Sequence, residues 1–265
     1  MRLIRFAILL VGTISLAACI NASTLIKVKL DGSGTIEQTM MMNTAAVKSL
    51  MSGIDPQGQM QMKQSNPFDA ASLERAVDRM GKGVRFVSAT PISQNGFEGV
   101  KGIYAFDDIN QVSVSQDVPN PSAAPGSGKP SPVTFKLARQ GGSSVLTVTF
   151  DEKAMSGTKT PPVTVKPETV DPAMMQMMTA IFQGFKVAID LEVDGKIVKT
   201  NADYVTGSRI TLLEIEMTSL LQDQAKLAQL QSKMSPTASI ADIKPLLKDV
   251  KGIKINEPVV TVEFR

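Results

Sequence analysis

Residues 185–221 read FKVAIDLEVDGKIVKTNADYVTGSRITLLEIEMTSLL, and this stretch decides the fold class. Its first part alternates. Phe185, Val187, Ile189, Leu191 and Val193 fall on one face, while Lys186, Asp190, Glu192 and Asp194 fall on the other. A period of two marks a half-buried strand, with its apolar side to the core and its charged side to water. Asp194-Gly195 then predicts a tight hairpin turn, because glycine tolerates the positive φ that such turns require, with Ile197 to Thr200 as the short return strand. Ile210 to Ile215 is apolar at nearly every position, as expected of a central strand covered on both faces. A helix is expected from Met217, so the stretch predicts a sheet that feeds directly into a helix. It holds no obvious reactive group.

The same patterns recur on either side. Leu25 to Leu30 alternates, Asp31-Gly32-Ser33-Gly34 is a turn cluster, and Thr35 to Met42 reads as the partner strand. A short helix is expected over Ala45 to Met51. Asn66-Pro67 opens another, with Leu73, Ala76, Val77 and Met80 as its apolar stripe and Gly81 at its exit. Val84 to Ile92 with Gly99 to Phe106, and Val133 to Arg139 with Ser144 to Phe150, read as two strand pairs, and Val112 to Ser115 as an extension of the sheet. Residues 117–132 (DVPNPSAAPGSGKPSP) form a long Pro/Gly/Ser-rich loop, read here as an exposed loop of one domain because strand character resumes at once beyond it. Asp171-Pro172 starts a helix carrying Met174, Met175, Met177, Met178, Ile181 and Phe182 and ending at Gly184. Beyond Met217, helical spacing continues through Leu220, Leu221, Leu227, Leu230 and Met234, and again from Ser239 to Val250. Closing strands follow at 252–255 and 259–264. About ten strands and five helices result, an α+β fold with a mostly antiparallel curved sheet packed against several helices.

The N-terminus gives an address. Arg2 and Arg5 precede an uncharged apolar run, Phe6 to Leu16, and Leu16-Ala17-Ala18-Cys19 closes it with small residues before a cysteine. That run is too short for a permanent membrane span, which needs roughly 20 apolar residues. The tetrad resembles the lipobox of bacterial lipoproteins, in which the cysteine is lipidated and becomes the first mature residue. An ordinary signal peptide cut at an Ala-x-Ala-like site is the alternative, leaving Cys19 an incidental thiol. The expected organisation is a signal peptide over 1–18, cleavage between Ala18 and Cys19, a lipidated tether over 19–24 and a single domain over 25–265. A free tether of about five residues spans under about 18 Å, at roughly 3.5 Å each. The domain is therefore expected to sit against the bilayer, anchored to the inner or outer membrane through an acylated Cys19 and facing the periplasm or the exterior.

Composition removes several function classes. The chain of 265 residues has no His and a single Cys. Ser-His-Asp and Cys-His machinery and histidine metal sites are therefore excluded, as is an internal disulfide. The formal charge of +3 is small and scattered, so nucleic acid is not an expected partner. Asp190, Glu192 and Asp194 share a strand face at about 7 Å spacing, and Asp107-Asp108 stands at a strand end. Either group could bind a cation or serve acid–base chemistry, although alternating charges on a strand are far more often a solvated face. Gly32-x-Gly34 and Gly126-x-Gly128 do not stand between strand and helix as a phosphate loop requires. No catalytic constellation, metal site or cofactor motif is visible, and the expectation is a protein that is not an enzyme.

Three segments together resemble the LppM-like lipoproteins: VKLDGSGTIEQTM (28–40), FQGFKVAIDLEVDGKIVKTNA (182–202) and YVTGSRITLLEIEMTSLL (204–221). The shared markers Gly184, Gly195, Asn201 and Gly207 are turn and framework residues. The resemblance implies a sheet packed on helices, similar to helix-grip (START-like) lipid-binding folds, and hence the binding of envelope lipids. Many relatives carry a C-terminal transmembrane helix, and no segment after residue 19 reaches that length here. Met174, Met175, Met177, Met178 and Phe182 are the candidates to line a ligand cavity, although methionine fills irregular cores more often than it faces a ligand. Two functions follow as expectations. One is a membrane-anchored module that binds lipid or another hydrophobic ligand. The other is an adaptor lipoprotein with a filled core that docks on another envelope protein.

Overall fold

Strand β1 (Ile20–Val28) starts the fold and occupies the middle of its larger sheet. The computed structural model describes residues 20–44, 70–114, 133–151, 184–222, 244–245, 247 and 250–265. After β1 come β2 (Gly34–Asn43), helix α1 (Ala70–Ala76) with a 3-10 turn over Val77–Arg79, β3 (Val84–Gln94) and β4 (Phe97–Phe106). Next are β5 (Ser113–Val114), β6 (Val133–Gln140), β7 (Ser143–Phe150), β8 (Lys186–Val193) and β9 (Ile197–Thr200). The chain continues through β10 (Val205–Thr206), β11 (Arg209–Glu216), α2 (Met217–Gln222), β12 (Ile253–Ile255) and β13 (Val259–Phe264). The larger sheet runs β10-β11-β8-β1-β2-β4-β3, with β12 also on the outer edge of β11. The smaller runs β5-β6-β7-β13-β9.

The two sheets share one core. Ile26, Val28, Leu191 and Tyr104 from the larger sheet and Leu146, Val148, Val260 and Phe264 from the smaller are all fully buried in one cluster. The sheets are joined at the end of the larger one where β1 and β8 finish. There the Ser144 hydroxyl donates to the Leu30 carbonyl at 3.0 Å, and an Arg139 guanidinium N–H donates to the Asp31 carbonyl. Asn110 caps part of the β6 edge by accepting the Leu137 N–H at 2.7 Å.

The α+β class with several helices is corrected here: the described chain is predominantly β, in two sheets, with α1 and the single turn α2 as its named helices. The stripe Leu73, Ala76, Val77 and Met80 is real, but two turns of α-helix and a 3-10 turn are enough to produce it. The helices expected over 45–51 and 171–183 lie outside the described residues.

The expected hairpin at Asp194-Gly195 is also corrected. The chain does turn there, but β9 crosses to the smaller sheet and pairs with β13. Both edges of β8 are already occupied, by β1 in parallel and by β11 in antiparallel, so no edge remains for a return strand. Gly195 (φ 135°) makes the crossing possible: a Cβ there would stand 2.6 Å from the Arg265 carbonyl oxygen. Lys196 and Arg265 exchange backbone hydrogen bonds of 2.8 and 3.1 Å across that close approach.

Two smaller expectations change as well. Residues 20–24 are not a free tether, since they pair in register with β2, and 21–24 pair also with β8. Nor is β11 covered on both faces. Its consecutive leucines are both buried, Leu212 at 1% and Leu213 at 6% exposure, because a bulge between Thr211 and Leu213 lets neighbouring residues point the same way.

Candidate functional site

The inner face of the larger sheet is ordered in ranks across β8, β1, β2 and β4. They read Val193–Val28–Gly34–Phe106, then Leu191–Ile26–Ile36–Tyr104, Ile189–Thr24–Gln38–Gly102 and Val187–Ala22–Met40–Val100. Ile20 and Met42 pair beyond the last of these. No large side chain of the first two ranks exceeds 2% exposure. In the later ranks Ile189, Thr24, Val187, Val100 and Ile20 are buried, whereas Gln38, Ala22, Met40 and Met42 are half-buried. The smaller sheet joins the larger at its Val28 end.

Helix α1 covers the β4 side of the third rank. Leu73 Cδ1 stands 3.1 Å from where a Gly102 Cβ would be, so the helix packs onto the bare backbone of β4. The Tyr104 hydroxyl donates to the Leu73 carbonyl at 3.1 Å and fastens the helix to the sheet. Burial pushes that phenol up to about 12, so it stays neutral and serves as a hydrogen-bond donor. Phe86 meets the Tyr104 ring edge-on at 5.8 Å.

The half-buried Ala22, Gln38, Met40 and Met42, with the buried Thr24 among them, form one patch of this face. It is apolar and polarizable, with one hydroxyl and one amide and no ionisable side chain. That chemistry suits a ligand that is mostly hydrocarbon and offers no general acid or base. The sequence reading passed over these methionines as strand residues. The signal was available in the run Met40-Met41-Met42, three flexible side chains where a strand usually carries β-branched ones. The lining expected from Met174, Met175, Met177, Met178 and Phe182, and the lipidation site Cys19 with Ala18, lie outside the described residues.

The carboxylates on the opposite face are engaged in cross-strand pairs. Asp190 accepts from the Thr211 hydroxyl at 2.8 Å, and Glu192 accepts from Arg209 Nη2 at 2.6 Å and Nε at 3.0 Å. Glu37 lies between Lys27 and Lys101, at 2.5 Å from each, and Glu214 between Lys186 and Lys254, at 3.0 and 2.8 Å. This is a ladder of alternating charge on a solvated face. Asp107 pairs with Arg85 at 2.9 Å, and Asp108 accepts the Asn110 backbone N–H at 2.9 Å as a turn cap. Among the described residues no group of three metal-ligating side chains comes together.

The ladder predicts a pH dependence. Partial burial raises the Glu37 and Glu214 carboxyls, but hydrogen bonds from the flanking lysines outweigh it and leave both below their ordinary value of 4.5. Their stabilisation is therefore present above about pH 4.5 and is lost as pH falls through the lowered folded values. Glu37→Gln with Glu214→Gln should cost about 1 kcal/mol at pH 7 and flatten the fall in melting temperature below pH 4.5. An unchanged slope in acid melts would assign that fall to other groups.

Among the described residues no helix is long and apolar enough to cross a membrane, which leaves strand-based spanning unaddressed. No protein-family model and no curated protein matches the chain. Among solved structures, the NMR structure of the folded domain of the Mycobacterium tuberculosis LppM protein aligns over 93% of this chain and 90% of its own. The identity is 9% and the TM-score 0.33, an overlay too loose to carry an argument about fold or ligand.

Proposed function

We propose that this chain is an exported, acyl-anchored bacterial envelope lipoprotein that is not an enzyme and holds a lipid or similar hydrophobic ligand against the inner face of its larger sheet. The observation that supports it best is the half-buried pair Met40 and Met42 on that inner face, two flexible, polarizable side chains. The lipobox Leu16-Ala17-Ala18-Cys19 and the resemblance to LppM-like lipoproteins support the address, and no motif in the sequence supports catalysis.

The test is a fluorescent fatty acid or phospholipid titrated into the full chain and into Met40→Gln with Met42→Gln. Amides placed against hydrocarbon should weaken binding about tenfold, or about 1.4 kcal/mol, with the melting temperature little changed because both side chains are only half-buried. If the wild-type chain binds no probe at micromolar concentration, the adaptor function takes its place. Unaltered affinity in the variant would move the ligand elsewhere.

A further inference from the structure

We propose that Pro91 keeps the outer edge of β3 from pairing with a second copy of this chain, so that the larger sheet stops at β3. The other sheet edges finish in short strands: β10 of two residues and β12 of three, β5 of two, and β9 of four. Beyond β5 the edge of β6 is capped at Leu137 by Asn110. Strand β3 is the long one, with 11 residues. Among the described residues no strand pairs with its outer edge, and Val87 (55%), Pro91, Ser93 and Gln94 are exposed. Such an edge is a template for another chain, and sheets blunt it with short strands, charges, bulges or proline. Charge does not serve here, because residues 86–94 carry none. The backbone itself must.

The register says which backbone groups face outward. Asn95 and Gly96 (φ 52° and 79°) form the two-residue loop between β3 and β4, so Gln94 and Phe97 close it as a hydrogen-bonded pair. Hydrogen-bonded and non-hydrogen-bonded pairs then alternate as far as the register shift between Phe86 and Ser88. Ser93 with Glu98, Pro91 with Val100 and Ala89 with Gly102 are the non-hydrogen-bonded pairs. Their β3 backbone groups therefore point away from β4, toward the free edge. Proline has no N–H to offer, and Pro91 stands in the middle of that outward row. A two-fold antiparallel pairing centred there would set Ala89 against Ser93 of the second copy and Pro91 against its own counterpart. Both central hydrogen bonds would then need the N–H that proline lacks. Pairings that slide toward Val84 meet the bulge at Val87, where the outward row is broken.

Light scattering on the purified full chain in detergent, corrected for the micelle and repeated on dilution, tests this. The Pro91→Thr chain is expected to double its protein mass relative to the wild type at high concentration and to return to the wild-type mass on dilution. Adding Ser93→Pro to Pro91→Thr moves the missing N–H along the same outward row and is expected to restore the wild-type mass at every concentration. A Pro91→Thr chain that keeps the wild-type mass with an unshifted melting temperature overturns the proposal. Association that Ser93→Pro does not reverse overturns it too, because it would run through another surface. If Pro91→Thr melts well below the wild type, Pro91→Val, another strand-favouring replacement, is read by the same outcomes.

Discussion

Ile189→Asp is expected to cost about 4 kcal/mol or more, enough to unfold a domain of ordinary stability or to send it to inclusion bodies. Ile189 is 1% exposed in strand β8, between Thr24 of β1 on one side and Leu213 of β11 on the other. A carboxylate there loses its water in a largely aliphatic site, and its neutralisation would itself require a large pKa shift. Leu212→Asp, at 1% exposure in β11, should behave alike. Glu192→Ala lies on the other face of β8, where its pairing with Arg209 is solvent-screened, and should change stability by about 0.5 kcal/mol or less. Thermal melts of the three variants check the face assignment. Equal shifts for Ile189→Asp and Glu192→Ala would show it to be wrong.

Asn256→Ala is expected to cost about 3 kcal/mol, a large loss for removing one small amide. Asn256 is 2% exposed just beyond β12. Its Nδ2 donates to the Thr211 carbonyl at 2.6 Å and to the Leu212 carbonyl at 3.2 Å, and its Oδ1 accepts the Asp203 N–H at 2.8 Å. Those carbonyls belong to the bulge in β11, where the ladder to β8 is interrupted. One side chain thus satisfies the Thr211 carbonyl and the Asp203 N–H and adds to the Leu212 carbonyl, which also accepts the Asn256 backbone N–H at 3.4 Å. Alanine would leave the first two in a site too dry for ready replacement by water. Chemical denaturation of the variant is the measurement. A loss under 1 kcal/mol would mean that water enters and that the bulge does not depend on Asn256.

Asn256 also shows how far the sequence could be read. Nothing in Ile255-Asn256-Glu257-Pro258 distinguishes it from a loop asparagine, because its partners lie about forty-five and fifty-three residues away in the chain. Met40 and Met42 are similar. They were visible in the sequence as part of a strand, but their place among the inner ranks depends on the pairing of β2 with β1 and β4. The helical stripe 73–80 was legible, and so were the positions of β2 to β4, β6 to β8, β11 and β13 to within a few residues, whereas β1 starts at Ile20 and not at the expected Leu25. Each of these follows from the chain's own period.

The sequence by itself determined where most strands lie, which face of β8 is dry and where the chain turns. These are local properties: side-chain alternation, glycine at positive φ, and residue order along a covalent chain. Only the tertiary structure decided partnership. It set β1 parallel to β8 across more than 150 intervening residues and sent β9 to a second sheet. It also joined the smaller sheet to the larger at the Val28 end. A strand has two hydrogen-bonding edges, and its own sequence does not say who occupies them. Once β1 and β11 had filled both edges of β8, the residues after Gly195 had to pair elsewhere, and they took the remaining edge of β13 in the second sheet.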